Sequence, residues 1–212
     1  MIEITCLSEI TLYLEGLKAI IFDLDDTLYG EKQYVRSGYR AIADSLPQIE
    51  KMEQKLWNAF EQKKSAIDEV LCAEGLYTEE RKQQCLSIYR FHQPKISFYE
   101  GTLELLQKLR TAGYKLGVIT DGRPEGQRAK IKALGLEELV DYIIVTDELG
   151  GIEYRKPNKA AFERMQETLG VKFEEMCYIG DNIKKDFIAP ELLKMRSFWF
   201  RNVDGLYYKK DT

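Results

Sequence analysis

Five short apolar runs constrain this chain most: residues 18–22, 114–119, 142–145, 176–179 and 196–200. Most are apolar at successive positions and do not alternate, which suits strands buried on both faces of a parallel sheet. Helical patterns lie between them. Residues 102–112 carry Leu103, Leu106 and Leu109 on one stripe, with Gly113 as a stop. Residues 124–134 open on Pro124 and end before Gly135, and residues 158–169 end before Gly170. Strand and helix alternate, so the expected fold class is α/β with a doubly wound parallel sheet.

The alternation breaks between residues 29 and 97, where no strand run stands out. Helical spacing takes over: Tyr39, Ile42 and Leu46, then Met52, Leu56 and Phe60, then Ile67 and Leu71. The stretch is too long for a connecting loop. The expected organisation is an α/β core of residues 1–28 and 98–212, interrupted by a helical insertion of residues 29–97. The first 17 residues read as a small, partly helical preface.

Composition excludes several functions. The 212 residues carry a net charge of -4, a poor electrostatic match to nucleic acid. The one histidine, His92, excludes a two-histidine zinc helix, and its place near the end of the insertion reads as structural. Cys6, Cys72, Cys85 and Cys177 form no C-x-x-C pair and read as plain thiols. The N-terminus shows no basic region followed by an apolar core, and no apolar run reaches the roughly 18–20 residues that span a bilayer. The expectation is a soluble cytoplasmic protein with neither nucleic-acid nor membrane partners.

The acids divide by type. Of 12 Asp, seven lie at or just after the ends of candidate strands: Asp23, Asp25, Asp26, Asp121, Asp147, Asp181 and Asp186. Most of the 23 Glu fall in helical stretches. In open α/β sheets the ligand crevice lies outside the carboxyl ends of the strands. Phe22-Asp23-Leu24-Asp25-Asp26-Thr27-Leu28 is the densest cluster. A polar turn is one reading, since Asp is common in turns. A calcium loop starting at Asp23 fails, because its sixth and twelfth positions are Leu28 and Tyr34 and not Gly and Glu. Three carboxylates in four residues call for a cation, and Mg2+ favours few carboxylates and a phosphate-bearing substrate. A carboxylate can also act as a nucleophile, with a second acid two residues on protonating the leaving oxygen.

Asp23-Leu24-Asp25-Asp26-Thr27 resembles the first motif, D-x-D-x-T, of the haloacid-dehalogenase-like hydrolases. Three further motifs follow in order: Thr120 ending a strand, Lys156 before Pro157, and Gly180-Asp181-Asn182-Ile183-Lys184-Lys185-Asp186 as the acidic loop G-D-x-x-x-x-D. The resemblance spans about residues 17–200, and the insertion matches the position of the family's helical cap. It implies a Rossmann-like core, Asp23 as nucleophile and Asp25 as general acid/base. It also implies that Mg2+ is held by Asp23, Asp181 and the backbone carbonyl of Asp25, with Asp186 as a ligand or its support. Asp186 could instead be a helix N-terminal acid. Thr120 and Lys156 would bind the phosphoryl group, with Asp121, Gly122 and Arg123 beside them in the substrate set. Tyr29, Tyr34, Arg36 and Arg40 are candidates to face the crevice, while Asp26 and Asp147 read as loop-shaping residues.

Dehalogenating members lack an acid two residues after the nucleophile, because a halide leaves without a proton. Asp25 therefore points to a phosphatase acting on a small phosphorylated metabolite, a sugar phosphate or a nucleoside monophosphate. A phosphotransferase or mutase with the same nucleophile, and a non-catalytic binding protein, are the alternatives. Two details depart from the family pattern: Pro190 follows closely on the last motif, and Lys194-Met195 stands where Gly is frequent.

Overall fold

A computed structural model describes residues 1–206 and Tyr208. It divides into two compact units: Met1–Glu31 with the chain from Ser97 onward, and Lys32–Ile96.

The first unit is built on a six-stranded sheet. Its strands are β1 (Ile2–Ile4), β2 (Ala19–Phe22), β3 (Lys115–Thr120), β4 (Tyr142–Val145), β5 (Met176–Gly180) and β6 (Arg196–Phe200). The order is β1-β6-β5-β2-β3-β4, and every neighbouring pair is parallel. The α/β class read from the sequence is borne out. All four residues of β2 and all five of β5 are buried, which explains why these strands read as unbroken apolar runs. Pairing aligns Phe22 with Val118 on one side and Ile179 on the other. The carboxyl ends of the three central strands therefore lie within two residues of one another, and the residues that follow them start from one edge.

The preface holds an unexpected strand. Ile2–Ile4 pairs with β6 at the sheet edge, and Leu7–Tyr13 forms a 3-10 helix. Three residues are too short for an alternation to show above chance, and it is the edge beside β6 that makes them a strand.

Helices α1 (Glu31–Ser45), α2 (Met52–Glu61), α3 (Ala66–Ala73) and α4 (Glu79–Phe91) account for the second unit, with Glu31 itself in the first. Val35, Tyr39, Ile42, Met52, Leu56, Val70 and Leu71 form its core. Thr78 caps α4, its hydroxyl accepting from Arg81 N–H at 3.1 Å.

Helices α5 (Thr102–Thr111), α6 (Pro124–Ala133), α7 (Ala160–Leu169) and α8 (Ile188–Leu192) complete the first unit. The stripe expected on α5 is displaced. Leu105, Leu106 and Leu109 are buried, whereas Leu103 is exposed. Successive steps of three residues each fall about 60° short of a turn, so a strict i, i+3 series drifts off the buried face. Pro190 sits in the first turn of α8, where the backbone N–H has no helical partner to lose. Lys194 takes φ +60°, the left-handed conformation that glycine adopts at least cost, at the position where the family often has Gly.

One face of the sheet packs Ile21, Ile119, Ile144 and Tyr178 against Phe162 and Met165 of α7. Phe162 is fully buried and meets the Tyr178 ring edge-on, with centroids 5.0 Å apart. Phe162→Ala is expected to cost about 3–5 kcal/mol of unfolding free energy. Urea titration checks this, and a loss under about 1 kcal/mol would contradict the packing described.

Candidate active site

The chain leaves β2 toward β3 on one side and leaves β5 toward β6 on the other, so the sheet has its switch point between β2 and β5. Asp23 follows β2 there, its N–H donating to the Ile179 carbonyl at 2.8 Å. Asp181 follows β5, Thr120 ends β3, and Lys156 comes from the loop after β4. With Asp25 these residues line one cavity of about 350 Å3.

A buried ammonium joins them. Lys156 Nζ donates to Asp23 Oδ1 at 2.7 Å and to the Tyr178 hydroxyl at 2.7 Å, and lies 2.9 Å from Asp186 Oδ1. Burial disfavours its charge, but Asp186 and Asp23 overcome that and hold the lysine well above its ordinary value. Asp186 is itself completely buried and accepts from Asn182 N–H at 2.9 Å. A Cβ at Gly180 would meet Asp186 Oδ2 at 2.6 Å, so the glycine is needed for this close approach.

One lysine does not balance the acids. Burial, ahead of the neighbouring charges, pushes Asp23 up to about 7. Burial and then the charges of Asp23 and Asp186 push Asp181 up to about 9. Asp23, Asp181 and Asp186 each present a carboxylate oxygen within 4.8 Å of the others. An all-oxygen set with unbalanced negative charge suits a hard divalent cation, so these residues fit Mg2+.

Thr120 Oγ1 is buried and has no hydrogen-bond partner among the described residues, while the residue lines the cavity. Asp121 is tied up by protein. Its Oδ1 accepts from the Thr146 hydroxyl and Lys156 N–H, both at 3.0 Å, and its Oδ2 from Lys185 Nζ at 2.7 Å. Asp121 therefore joins three strand-end loops. Gly122 has φ +139°, and a Cβ there would meet the Gln127 amide at 2.9 Å. Arg123 is exposed at the N-cap of α6. Gly122 and Arg123 are not brought to the cavity wall, unlike Thr120, Asp121 and Lys156.

Asp25 carries more partners than its motif signals. Lys130 Nζ lies 2.8 Å from Oδ1 and 3.0 Å from Oδ2, Gln127 Nε2 donates to Oδ2 at 2.8 Å, and the Tyr29 hydroxyl donates to Oδ1. Burial would raise this carboxyl, but the Lys130 charge and these hydrogen bonds hold it below its usual range. Gln127 and Lys130 escaped the sequence reading, although a signal existed. With Ile131 and Leu134 they occupy the i, i+3, i+4, i+7 positions of the buried stripe of α6, where apolar residues are expected. Glu31, Arg155, Asn182 and Lys185 also line the cavity without having been singled out. Burial and the nearby Asp25 charge push Glu31 up to about 8.

Of the aromatic and basic candidates, only Tyr29 belongs to this unit. Tyr34 packs against Tyr89 and His92, Arg36 lies over Trp57, and Arg40 pairs with Glu53, all within the helical unit. Asp26 shapes its loop at φ +53°, accepting from Glu31 N–H and Leu206 N–H. Asp147 holds Arg155 through two bonds of 2.7 Å. Among the described residues no helix is long and apolar enough to cross a membrane.

Lys156 and Lys185 hold Asp121 below its ordinary value of 3.8 against the opposing effect of burial. A depressed folded value means that the stabilisation is complete above about pH 3.8 and fades as pH falls through the lower folded value. Asp121→Asn sets an amide donor against existing donors and is expected to cost about 1–3 kcal/mol near neutral pH. Urea midpoints measured against pH check both points: the gap between wild type and variant is expected to shrink in acid.

A sequence model described as haloacid dehalogenase-like hydrolase matches residues 20–200. The glyceraldehyde 3-phosphate phosphatase of Methanocaldococcus jannaschii is 29% identical over 196 residues, covering 84% of this chain and 82% of that protein. The pyrophosphatase PpaX of Halalkalibacterium halodurans is 26% identical over 178 residues, covering 78% and 75%. The structure of a phosphatase of this family from Thermococcus onnurineus superposes with a TM-score of 0.57 at 26% identity, covering 92% of each chain. The match spans both the β2 aspartates and the β5 acidic loop, and the chain belongs to the haloacid dehalogenase-like hydrolase family.

Proposed function

We propose that this chain is a Mg2+-dependent phosphomonoester hydrolase that acts on a small phosphorylated metabolite through a phospho-Asp23 intermediate. The observation that carries the reading is the convergence of Asp23, Thr120 and Lys156 on one cavity, with the Lys156 ammonium 2.7 Å from the Asp23 carboxylate. Family membership makes the chain a hydrolase, and relatives named as phosphatases support phosphoric monoesters as its substrates. The helical unit, residues 32–96, is assigned the family's cap role of selecting the substrate.

In the first step an Asp23 oxygen attacks phosphorus and the ester P–O bond breaks. Asp25 must carry a proton at this stage, against the pull of Lys130 toward the carboxylate, and it gives that proton to the departing oxygen. In the second step water attacks the phosphoryl group, Asp25 takes the water's proton, and the Asp23–phosphoryl bond breaks. Inorganic phosphate leaves and the Asp23 carboxylate is restored. Thr120 Oγ1 donates to a phosphoryl oxygen, and Lys156 Nζ offsets the charge that builds there. Asp23, Asp181 and Asp186, with the Asp25 carbonyl, would hold Mg2+, whose charge neutralises carboxylates and phosphoryl oxygens together. The relatives' names add a triose phosphate and pyrophosphate to the sugar phosphates and nucleoside monophosphates as compounds to try.

Phosphate release from such a panel is expected with Mg2+, to stop with EDTA, and to return when Mg2+ is restored. Asp23→Asn is expected to lower kcat by about 10³-fold or more. Release that survives both EDTA and Asp23→Asn would exclude this mechanism, and no release from any compound would exclude the phosphatase.

A further inference from the structure

Lys130 sits where α6 should bury an apolar side chain. It is only 5% exposed, and its neighbours on the stripe are Ile131 and Leu134. Burying an ammonium there carries a desolvation penalty that leucine or methionine would not. That charge meets Asp25, whose side chain stays 18% exposed at the cavity. Gln127, one turn earlier, is 3% exposed. Its Nε2 bridges Asp25 Oδ2 and the Asp121 carbonyl, both acceptors, which fixes the orientation of the amide. Its Oε1 is then left buried with no partner among the described residues. The helix thus bears two costs, and both serve the placement of one carboxylate.

The contacts fill the carboxylate. Lys130 reaches both oxygens, Gln127 adds a second bond on Oδ2, and Tyr29 a second on Oδ1. Four contacts occupy the roughly four acceptor positions of an ionised carboxylate. Both the plane and the reach of Asp25 are set from α6 and Tyr29, although its own backbone belongs to the loop after β2. Gly122 belongs to the same device, because a Cβ there would strike the Gln127 amide at 2.9 Å.

We propose that Lys130 and Gln127 are positioning residues that hold the Asp25 carboxyl where it delivers a proton to the leaving oxygen and recovers one from water. This rests on the phosphatase reading given above. The proton passes between Asp25 and the leaving oxygen or water only. Lys130 and Gln127 stay chemically unchanged, and the arrangement demands that one contact open when Asp25 is protonated.

Leaving groups separate positioning from general structural support. An alkyl phosphate needs a proton on its departing oxygen, whereas 2,4-dinitrophenyl phosphate releases a stable anion without one. Lys130→Met, Gln127→Leu and, as a reference, Asp25→Asn are compared with wild type in rapid-quench first turnovers on both kinds of substrate. Lys130→Met is expected to slow the first turnover of the alkyl phosphate by about 100-fold. The burst of dinitrophenolate is expected to stay within about 3-fold of wild type, with the same ordering and smaller losses for Gln127→Leu. Lys130→Arg, which keeps a two-pronged donor, is expected to recover part of the alkyl rate and carries the test if Lys130→Met does not fold. Equal losses on both substrates, or no loss on either, would overturn the proposal. Wild-type protein that releases phosphate from nothing would overturn the phosphatase reading itself.

Discussion

The site depends on a buried ammonium set among carboxylates. Lys156 has no exposed side-chain surface, yet it touches Asp23, Asp186 and Tyr178 at hydrogen-bond distance. Such a group is tolerated only because the opposite charges lie within 3 Å. The dependence runs both ways. Without Lys156, Asp23 and Asp186 would be buried charges facing each other, the kind of truncation that costs about 3–5 kcal/mol. With it, three carboxylates that lie within 4.8 Å of one another still share a single buried ammonium. That residual charge is the physical argument for a divalent cation, and it comes from the geometry of the protein alone.

The parallel sheet makes this crowding possible. Strand ends that lie within two residues of one another place the residues after β2, β3 and β5 along one edge. Asp121 then ties the loops together, bonding Thr146 and Lys156 from the loop after β4 and Lys185 from the loop after β5. It also lines the cavity, beside Thr120. In the folded chain its oxygens are occupied by protein, and it acts on the site by holding Lys156 N–H and the acidic loop in place.

The legible parts of the fold and site were those with a local signature. Fully buried parallel strands leave unbroken apolar runs, and strand-end aspartates stand out against helical glutamates, so the α/β class and the acids around the switch point could be read in advance. Three kinds of feature could not. β1 is three residues long and becomes a strand only beside β6. Leu103 fits a period of three but faces solvent, because the helix repeats every 3.6 residues. Gln127 and Lys130 lie more than 100 positions from Asp25, so their pairing is a consequence of the fold, visible beforehand only as polar residues on an apolar stripe. Glu31 is a similar case: one of many glutamates in the helical stretch by sequence, and a cavity residue in the structure.

The central claim is that Asp23, steadied by Lys156, takes the phosphoryl group before water does. Rapid quenching of protein mixed with a turned-over phosphate ester, followed by peptide mass mapping, tests it most directly. The account predicts one phosphoryl group on the peptide that contains Asp23, removed by hydroxylamine as an acyl phosphate would be. Steady turnover with no phosphorylated Asp23 peptide at any quench time, or the phosphoryl group on another residue, would contradict it.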